Sequence, residues 1–320
     1  MPGYRPDVDS EPSAEVIVVG SGVAGLTTAV VLAESGRRVG VWAREPAGRT
    51  TSAVAGGLWW PYRIEPEPLV GGWALESLAV YGELAARPEE TGVRMADGVH
   101  RGTRLDGLGA WAGRVPGLRD VAEGLAARLP VVDMPAHLAW LRERLAAAGG
   151  TVTRREVADL TAVPAAVVVN CSGIGARSLV PDPGVRPVRG QLVVVENPGI
   201  TTWFTSVDHS SSASTYVIPQ PGRLLLGGTA EEDDWSLEPD PDTAAAILAR
   251  CAAVRPEIAG ARVLGHRVGL RPARDAVRLE RRLLPDGRVL VHNYGHGGAG
   301  VTVAWGCARE AAELAFPAAA

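Results

Sequence analysis

The sequence predicts a mixed α/β (α+β) chain, in which a discontinuous doubly wound domain is interrupted by an antiparallel-sheet domain. Three observations predict it. A buried-strand pattern, a glycine turn and a helix pattern open the chain over residues 15–35. The same order of strand, glycine and helix returns over residues 289–314. The text between them changes to short alternating runs separated by turn dipeptides.

Element by element, Glu15-Val16-Ile17-Val18-Val19 is short, β-branched and bounded by glycine, which suits a strand buried on both faces. Gly20-Ser21-Gly22-Val23-Ala24-Gly25 forms the turn. Residues 26–35 lack Gly and Pro, carry small and apolar side chains, and stop at Gly36, a helix C-cap. Arg38-Val39-Gly40-Val41-Trp42-Ala43 is the second strand, closing a βαβ unit. Residues 137–148 space Leu138, Leu141 and Leu145 helically and end at Gly149-Gly150. Thr151-Val152-Thr153 and residues 166–170 are further strands, and Cys171-Ser172-Gly173 turns the chain. A strand over residues 289–291 and a helix over residues 301–314 complete the same sheet. Between these blocks, residues 61–136 are rich in Pro and Gly. Residues 191–195, 215–218 and 223–226 alternate as strands, with turns at Pro198-Gly199 and Pro221-Gly222 and a helix over residues 242–254. The expected boundaries are a disordered tail at 1–14, the doubly wound domain at 15–60, 137–185 and 262–320, and the inserted domain at 61–136 and 186–261.

Charge and composition narrow the function. Lys+Arg 32 against Asp+Glu 36 gives a net charge of −4, which excludes the basic surface of a nucleic-acid binder. No apolar run approaches the roughly 20 residues that span a bilayer. The N-terminus is polar and acidic, so a cytoplasmic protein without a membrane partner is expected. Cys171, Cys251 and Cys307 are widely spaced with no CxxC and no metal-ligand pattern, so no metal is expected and the thiols read as buried small hydrophobes. Nine Trp against two Phe supply flat apolar area suited to core or pocket.

The first turn carries recognisable chemistry. Gly20 permits the tight turn, Gly22 lets backbone approach a pyrophosphate, and Gly25 lets helix pack on strand, while amides at the helix start from Val23 face phosphate. The position that normally holds an acidic residue for the ribose reads Ala43-Arg44-Glu45, and either Arg44 or Glu45 could face the cofactor. Arg44 alone would suit a 2′-phosphate and an NAD(P)-dependent dehydrogenase. A nucleotide-binding module without turnover is the rival from another class. Next comes Arg49-Thr50-Thr51-Ser52-Ala53-Val54-Ala55-Gly56-Gly57-Leu58-Trp59, a hydroxyl-rich, small-residue stretch fit to lie along a cofactor.

Taken together, "VVGSGVAG", "TTSAVAGGLW", "VVNCSG", "STYVIP", "LLLGGT", "GLRPARDAVRLE" and "HNYGHGGAGVTVAWGC" closely resemble the D-amino acid oxidase family of flavoproteins, from Val16 to about Leu314. The resemblance implies a Rossmann-like FAD-binding domain, non-covalent FAD, and oxidation of a D-amino acid by molecular oxygen to a 2-oxo acid, ammonia and hydrogen peroxide. Hydride leaves the substrate α-carbon for flavin N5, so the residues orient rather than act as acid or base. Carried over by motif, Arg271 takes the substrate carboxylate with its planar fork. Tyr216 supports that carboxylate, the Gly298 carbonyl holds the amino group, and Trp60 stands where some members carry a glutamine. Arg274 and Arg278 read as structural. The cofactor set so implied is Gly20, Ser21, Gly22, Val23, Ala24, Gly25, Arg44, Glu45, Thr50, Thr51, Ser52, Gly56, Gly57, Leu58, Val157, Ser172, Gly173, Arg271, Gly297, Gly298, Gly300, Val301 and Thr302.

Two departures bear on substrate. Ser212 replaces the second tyrosine that better-known members carry on a lid, and Trp60 adds an indole at the pocket rim. Neutral, fairly bulky D-amino acids are expected, with a glycine or D-aspartate oxidase as the related alternative and a homodimer as the candidate assembly. His292 and His296 are expected to brace the terminal loop through hydrogen bonds. His100, His137, His209 and His266 show no partner pattern.

Overall fold

The computed structural model describes residues 14–61, 64–207 and 213–317. The expected tail, apart from Ala14, lies outside those residues, as do His209 and Ser212.

The expected strand blocks, distant in sequence, meet in one six-stranded sheet. Its order is Arg278–Leu283, Val289–Tyr294, Val167–Asn170, Val16–Val19, Val39–Ala43 and Thr151–Arg154. Five strands run parallel, and Arg278–Leu283 is an antiparallel edge. Alternation decides the two faces. Val16 and Val18 join the main core, while Ile17 and Val19 join a second cluster with Leu160, Val163 and Val168. The helices Val23–Glu34, Met134–Ala147 and Gly300–Ala315 pack together over the main-core face.

The second sheet has nine strands. Its spine is Arg186–Glu196, flanked on one side by Arg223–Thr229 and Glu231–Glu232 and on the other by Val263–Ala273. Beyond Arg223–Thr229 follow Ala213–Gln220, Trp203–Val207, Val93–Arg101, Gly124–Val132 and Arg119–Val121. All pairs are antiparallel except Val93–Arg101 with Trp203–Val207. The helix Pro241–Val254 covers one face, where Val193, Val195, Val217, Leu224 and Ile247 pack. The other face gives Leu192, Val194, Ile218 and Leu225 to the main core, so the two sheets close over a shared interior.

Two differences from the sequence reading follow from long-range pairing. The boundary at residue 262 would put residues 263–273 in the doubly wound domain. Their backbone instead pairs with Arg186–Glu196 along the strand, so the chain crosses between sheets only over residues 274–277. The Pro- and Gly-rich stretch after residue 61 also contains an 18-residue helix, Glu67–Leu84, packed against Gly300–Ala315. Its Gly71 and Gly72 hide it from a propensity reading, but Gly71 leaves room for the Trp111 side chain. No helix among the described residues is long and apolar enough to cross a membrane.

Candidate active site

Parallel strands end in register, so the loops that follow them share one edge. Val19 lies beside Trp42 and Asn170, and Asn170 beside His292. The turns after these strands therefore line one crevice, where doubly wound sheets bind ligands. In the first turn Gly20 has φ +115°, and a Cβ there would lie 2.4 Å from the Cys171 carbonyl oxygen. A Cβ on Gly25 would lie 2.0 Å from the Gly20 carbonyl oxygen. Only glycine fits either place. The helix Val23–Glu34 has no cap from its own N-cap residue; Ser52 supplies one from the hydroxyl loop, accepting from the Val23 amide at 2.9 Å. Ser21 donates to the Glu45 carbonyl at 2.9 Å. The glycine turn, the second-strand end and the loop of Thr50, Thr51 and Ser52 are thus one unit.

Burial separates Arg44 from Glu45. Arg44 is exposed, and its 3.9 Å contact with exposed Glu156 carries little energy. Glu45 turns inward, with Oε2 buried and without a hydrogen-bond partner. Such an acceptor is costly unless a donor arrives, and a ribose hydroxyl is one. Ser172 Oγ is buried and unpartnered in the same way, in the turn after Val167–Asn170, beside Gly173 with φ +56°. Orphaned oxygens around a glycine cradle at a helix start fit a dinucleotide such as FAD. Val157 packs against the cluster on the sheet's other face.

The terminal glycine run is braced from below. Asn293 Nδ2 donates to Thr28 Oγ1 at 3.1 Å, and Thr28 donates to the Ala24 carbonyl at 2.7 Å. That leaves Asn293 Oδ1 to accept from His296 Nε2 at 3.0 Å. Asn170 Nδ2 donates to His292 Nδ1 at 3.3 Å. Burial, the leading cause, lowers both imidazoles to about 4, so they are neutral, as bracing requires. Gly297, at φ +53°, and Gly298 form a short turn before the helix that starts at Gly300. Tyr81 donates to the Val301 carbonyl at 2.9 Å. Thr302 Oγ1 accepts from the Trp60 amide at 3.2 Å and donates to the Trp60 carbonyl at 3.0 Å. Its hydroxyl therefore fixes Trp60.

Arg271 and Tyr216 come from the nine-stranded sheet and meet this edge. Thr51 donates to the Leu270 carbonyl at 3.0 Å, docking the arginine strand on the hydroxyl loop. Gly56 lies against Ile218 and Tyr216, while Gly57, at φ +79°, and Leu58 pair that loop with Val131 and Val132. The Tyr216 ring occupies space left by Gly227, where a Cβ would stand 1.7 Å from Cζ. The half-buried Arg271 guanidinium lies over Gly190, where a Cβ would stand 2.4 Å from Nη2. It donates to the Thr229 carbonyl at 2.8 Å and reaches that of Arg189 at 3.4 Å, and no carboxylate among the described residues pairs with it. Arg274 and Arg278, by contrast, are paired with Asp182 at 3.1 Å and with Glu280 at 2.8 Å. Asp182 is also hydrogen-bonded by Tyr294, and its pKa is lowered although burial opposes the shift.

His100, which shows no partner pattern in the sequence, is hydrogen-bonded on both ring nitrogens. Its Nδ1 meets Thr205 Oγ1 at 2.7 Å and its Nε2 meets Thr103 Oγ1 at 3.2 Å. His100, Thr205 and Tyr216 form one cross-strand row. The Trp60 ring stands 4.7 Å from His100 and edge-on to Trp111 at 5.7 Å. His137 is likewise partnered, by the Thr91 carbonyl at 2.8 Å and by the Trp140 ring. Sequence reasoning missed His100 and Thr205 because neither strand pairing nor stacking is a local signal.

Comparison with known proteins adds identity of kind. A family model described as "FAD dependent oxidoreductase" matches residues 15–314. The chain is 71% identical over 316 residues to a D-amino-acid oxidase of Streptomyces coelicolor, covering 97% of this chain and 99% of that one. It is 35% identical to a human D-aspartate oxidase, covering 94% of each. Among solved structures, glycine oxidase from Geobacillus kaustophilus superposes with a TM-score of 0.78 at 22% identity, covering 94% of each chain, which speaks to fold.

Proposed function

The chain belongs to the FAD-dependent oxidoreductase family, and we propose that it oxidises D-amino acids, preferring neutral and fairly bulky ones, with oxygen as final acceptor. The products are the 2-oxo acid, ammonia and hydrogen peroxide. One observation carries the reading: the half-buried Arg271 guanidinium is spread over Gly190 and has no carboxylate partner among the described residues. Its fork matches an amino acid's carboxylate.

FAD, held without a covalent bond, supplies the hydride acceptor and the route of electrons to oxygen. The chain's own residues bind and orient. Glu45, Ser172, the hydroxyl loop and the first helix start hold the dinucleotide. The second helix start, at Gly300, Val301 and Thr302, would favour negative charge on the bound cofactor. Arg271 and Tyr216 fix the carboxylate, and the Gly298 carbonyl accepts from the amino group. With two points of the α-carbon held, its C–H bond can face the acceptor in one enantiomer only, so selectivity is geometric. Trp60 and His100, their rings 4.7 Å apart, make a wall that suits an apolar side chain. The division of labour follows the two sheets, cofactor on the parallel one and substrate on the nine-stranded one. The reading also keeps the cytoplasmic location and the homodimer expected from the sequence.

The test is anaerobic. D- and L-enantiomers of leucine and phenylalanine, D-aspartate and glycine are each mixed with the purified flavoprotein under nitrogen. The neutral D-amino acids are expected to bleach the flavin fully and the L-enantiomers not at all. Faster bleaching by D-aspartate or glycine would reassign the substrate, and none by any of them would end the proposal.

A further inference from the structure

We propose that Arg189 and Glu231 are positioning residues that set the Arg271 guanidinium for its carboxylate, an inference that rests on the substrate role read for Arg271 above. Arg271 is anchored by one short bond, to the Thr229 carbonyl. What fixes Thr229 therefore aims Arg271. Thr229 Oγ1 accepts from the Gln191 amide at 3.0 Å and donates to Glu231 at 3.3 Å. Glu231 pairs at 2.5 Å with Arg189, which is 3% exposed and sits in register with Leu270, next to Arg271. Arg189 also donates to the carbonyls of Ser236 at 3.1 Å and Glu238 at 2.7 Å and to Gln191 Oε1 at 2.9 Å.

The arrangement has a consequence in charge as well as position. A buried guanidinium needs a counter-charge, and Glu231 supplies it at close range, with Asp234 Oδ2 3.7 Å from Nε. Arg271, on the neighbouring strand, has none among the described residues. One cation of two adjacent ones is thus neutralised and used as a clamp on residues 229–238, while the other faces the crevice with its charge available. Arg189 donates to four acceptors, and the three donors of a lysine ammonium on a flexible stem cannot reproduce that planar set.

The experiment is a double-mutant cycle on the flavin-loaded protein. The probe is benzoate, a carboxylate on a neutral ring with no amino group, titrated through its perturbation of the flavin spectrum. In the Arg271 background, Arg189→Lys, which conserves charge, is expected to weaken benzoate by ~10-fold and raise KM for a neutral D-amino acid by a similar factor, with kcat within about twofold. In the Arg271→Lys background the same change is expected to cost no more than about twofold. Equal losses in both backgrounds, or no loss in either, would refute positioning, since a general structural defect adds regardless of Arg271. Glu231→Gln, at a partly exposed carboxylate, is the second variant. Positioning predicts weaker benzoate. Removal of a nearby negative charge by itself predicts tighter benzoate, and that outcome would overturn the proposal. Wild-type flavin unperturbed by benzoate and unreduced by D-amino acids would instead fell the functional reading, and the brace with it.

Discussion

Arg271 shows how far one residue could be read and where reading stopped. Its motif named it, but its geometry decides the size of its effect. A charge-assisted bidentate pair contributes about 1.5–3 kcal/mol, and each 1.4 kcal/mol is tenfold. Arg271→Lys is therefore expected to raise KM roughly 10- to 100-fold while flavin stays bound; steady-state kinetics with a D-amino acid and the flavin-to-protein absorbance ratio check both halves. Arg44 and Glu45 were open from sequence, because adjacent residues at a strand end point oppositely and only burial separates them. The surroundings of His100 and Arg189 were not legible in the sequence. Their partners are Thr205, Glu231 and backbone carbonyls, brought near by sheet pairing rather than by spacing along the chain.

The helix Glu67–Leu84 makes the same point for an element. Its sequence, with Pro68, Gly71, Gly72 and Gly82, argues against a helix by propensity. It forms because it packs on Gly300–Ala315, where tertiary burial outweighs propensity. Two glycines of these helices, Gly306 at the contact and Gly72 on the exposed side, should respond with opposite signs. A Cβ on Gly306 would lie 2.4 Å from the Trp73 Cα and 2.5 Å from its carbonyl oxygen, backbone atoms that cannot swing aside. Overpacking of about 1–3 kcal/mol outweighs the roughly 1 kcal/mol that alanine adds to a helix, so Gly306→Ala should destabilise. A methyl on Gly72 would meet no heavy atom within 4 Å, so Gly72→Ala should stabilise by about 0.5–1 kcal/mol. Urea unfolding of the two variants, read against wild type, checks the signs; shifts of the same sign would show that the helix contact is not as close as described.

At the scale of the whole molecule, neutral buried histidines tie stability to pH. His137, His292 and His296 are each lowered by burial from 6.5 to about 4; for His292 the cations Arg278 and Arg282 add to the lowering, and Glu280 and Asp182 oppose it. The unfolded chain takes up these protons first as pH falls. Their contribution is therefore complete above about 6.5 and is lost progressively toward about 4. Asp182 and Glu280, whose pKa values are lowered, push the same way at still lower pH. The Tm of the flavin-loaded protein should be steady above about 6.5 and fall through that window, as thermal unfolding followed by circular dichroism would record; a flat profile would mean the imidazoles are solvated. By itself the sequence determined the glycine cradle, the buried parallel strands and the family, because each is a local requirement of turn, period or motif. Only the tertiary structure decided that residues 263–273 belong to the nine-stranded sheet, that Glu45 rather than Arg44 turns inward, and that a buried Arg189 stands behind Arg271. Those outcomes depend on which backbone groups pair across the fold and on which side chains that pairing shuts away from water.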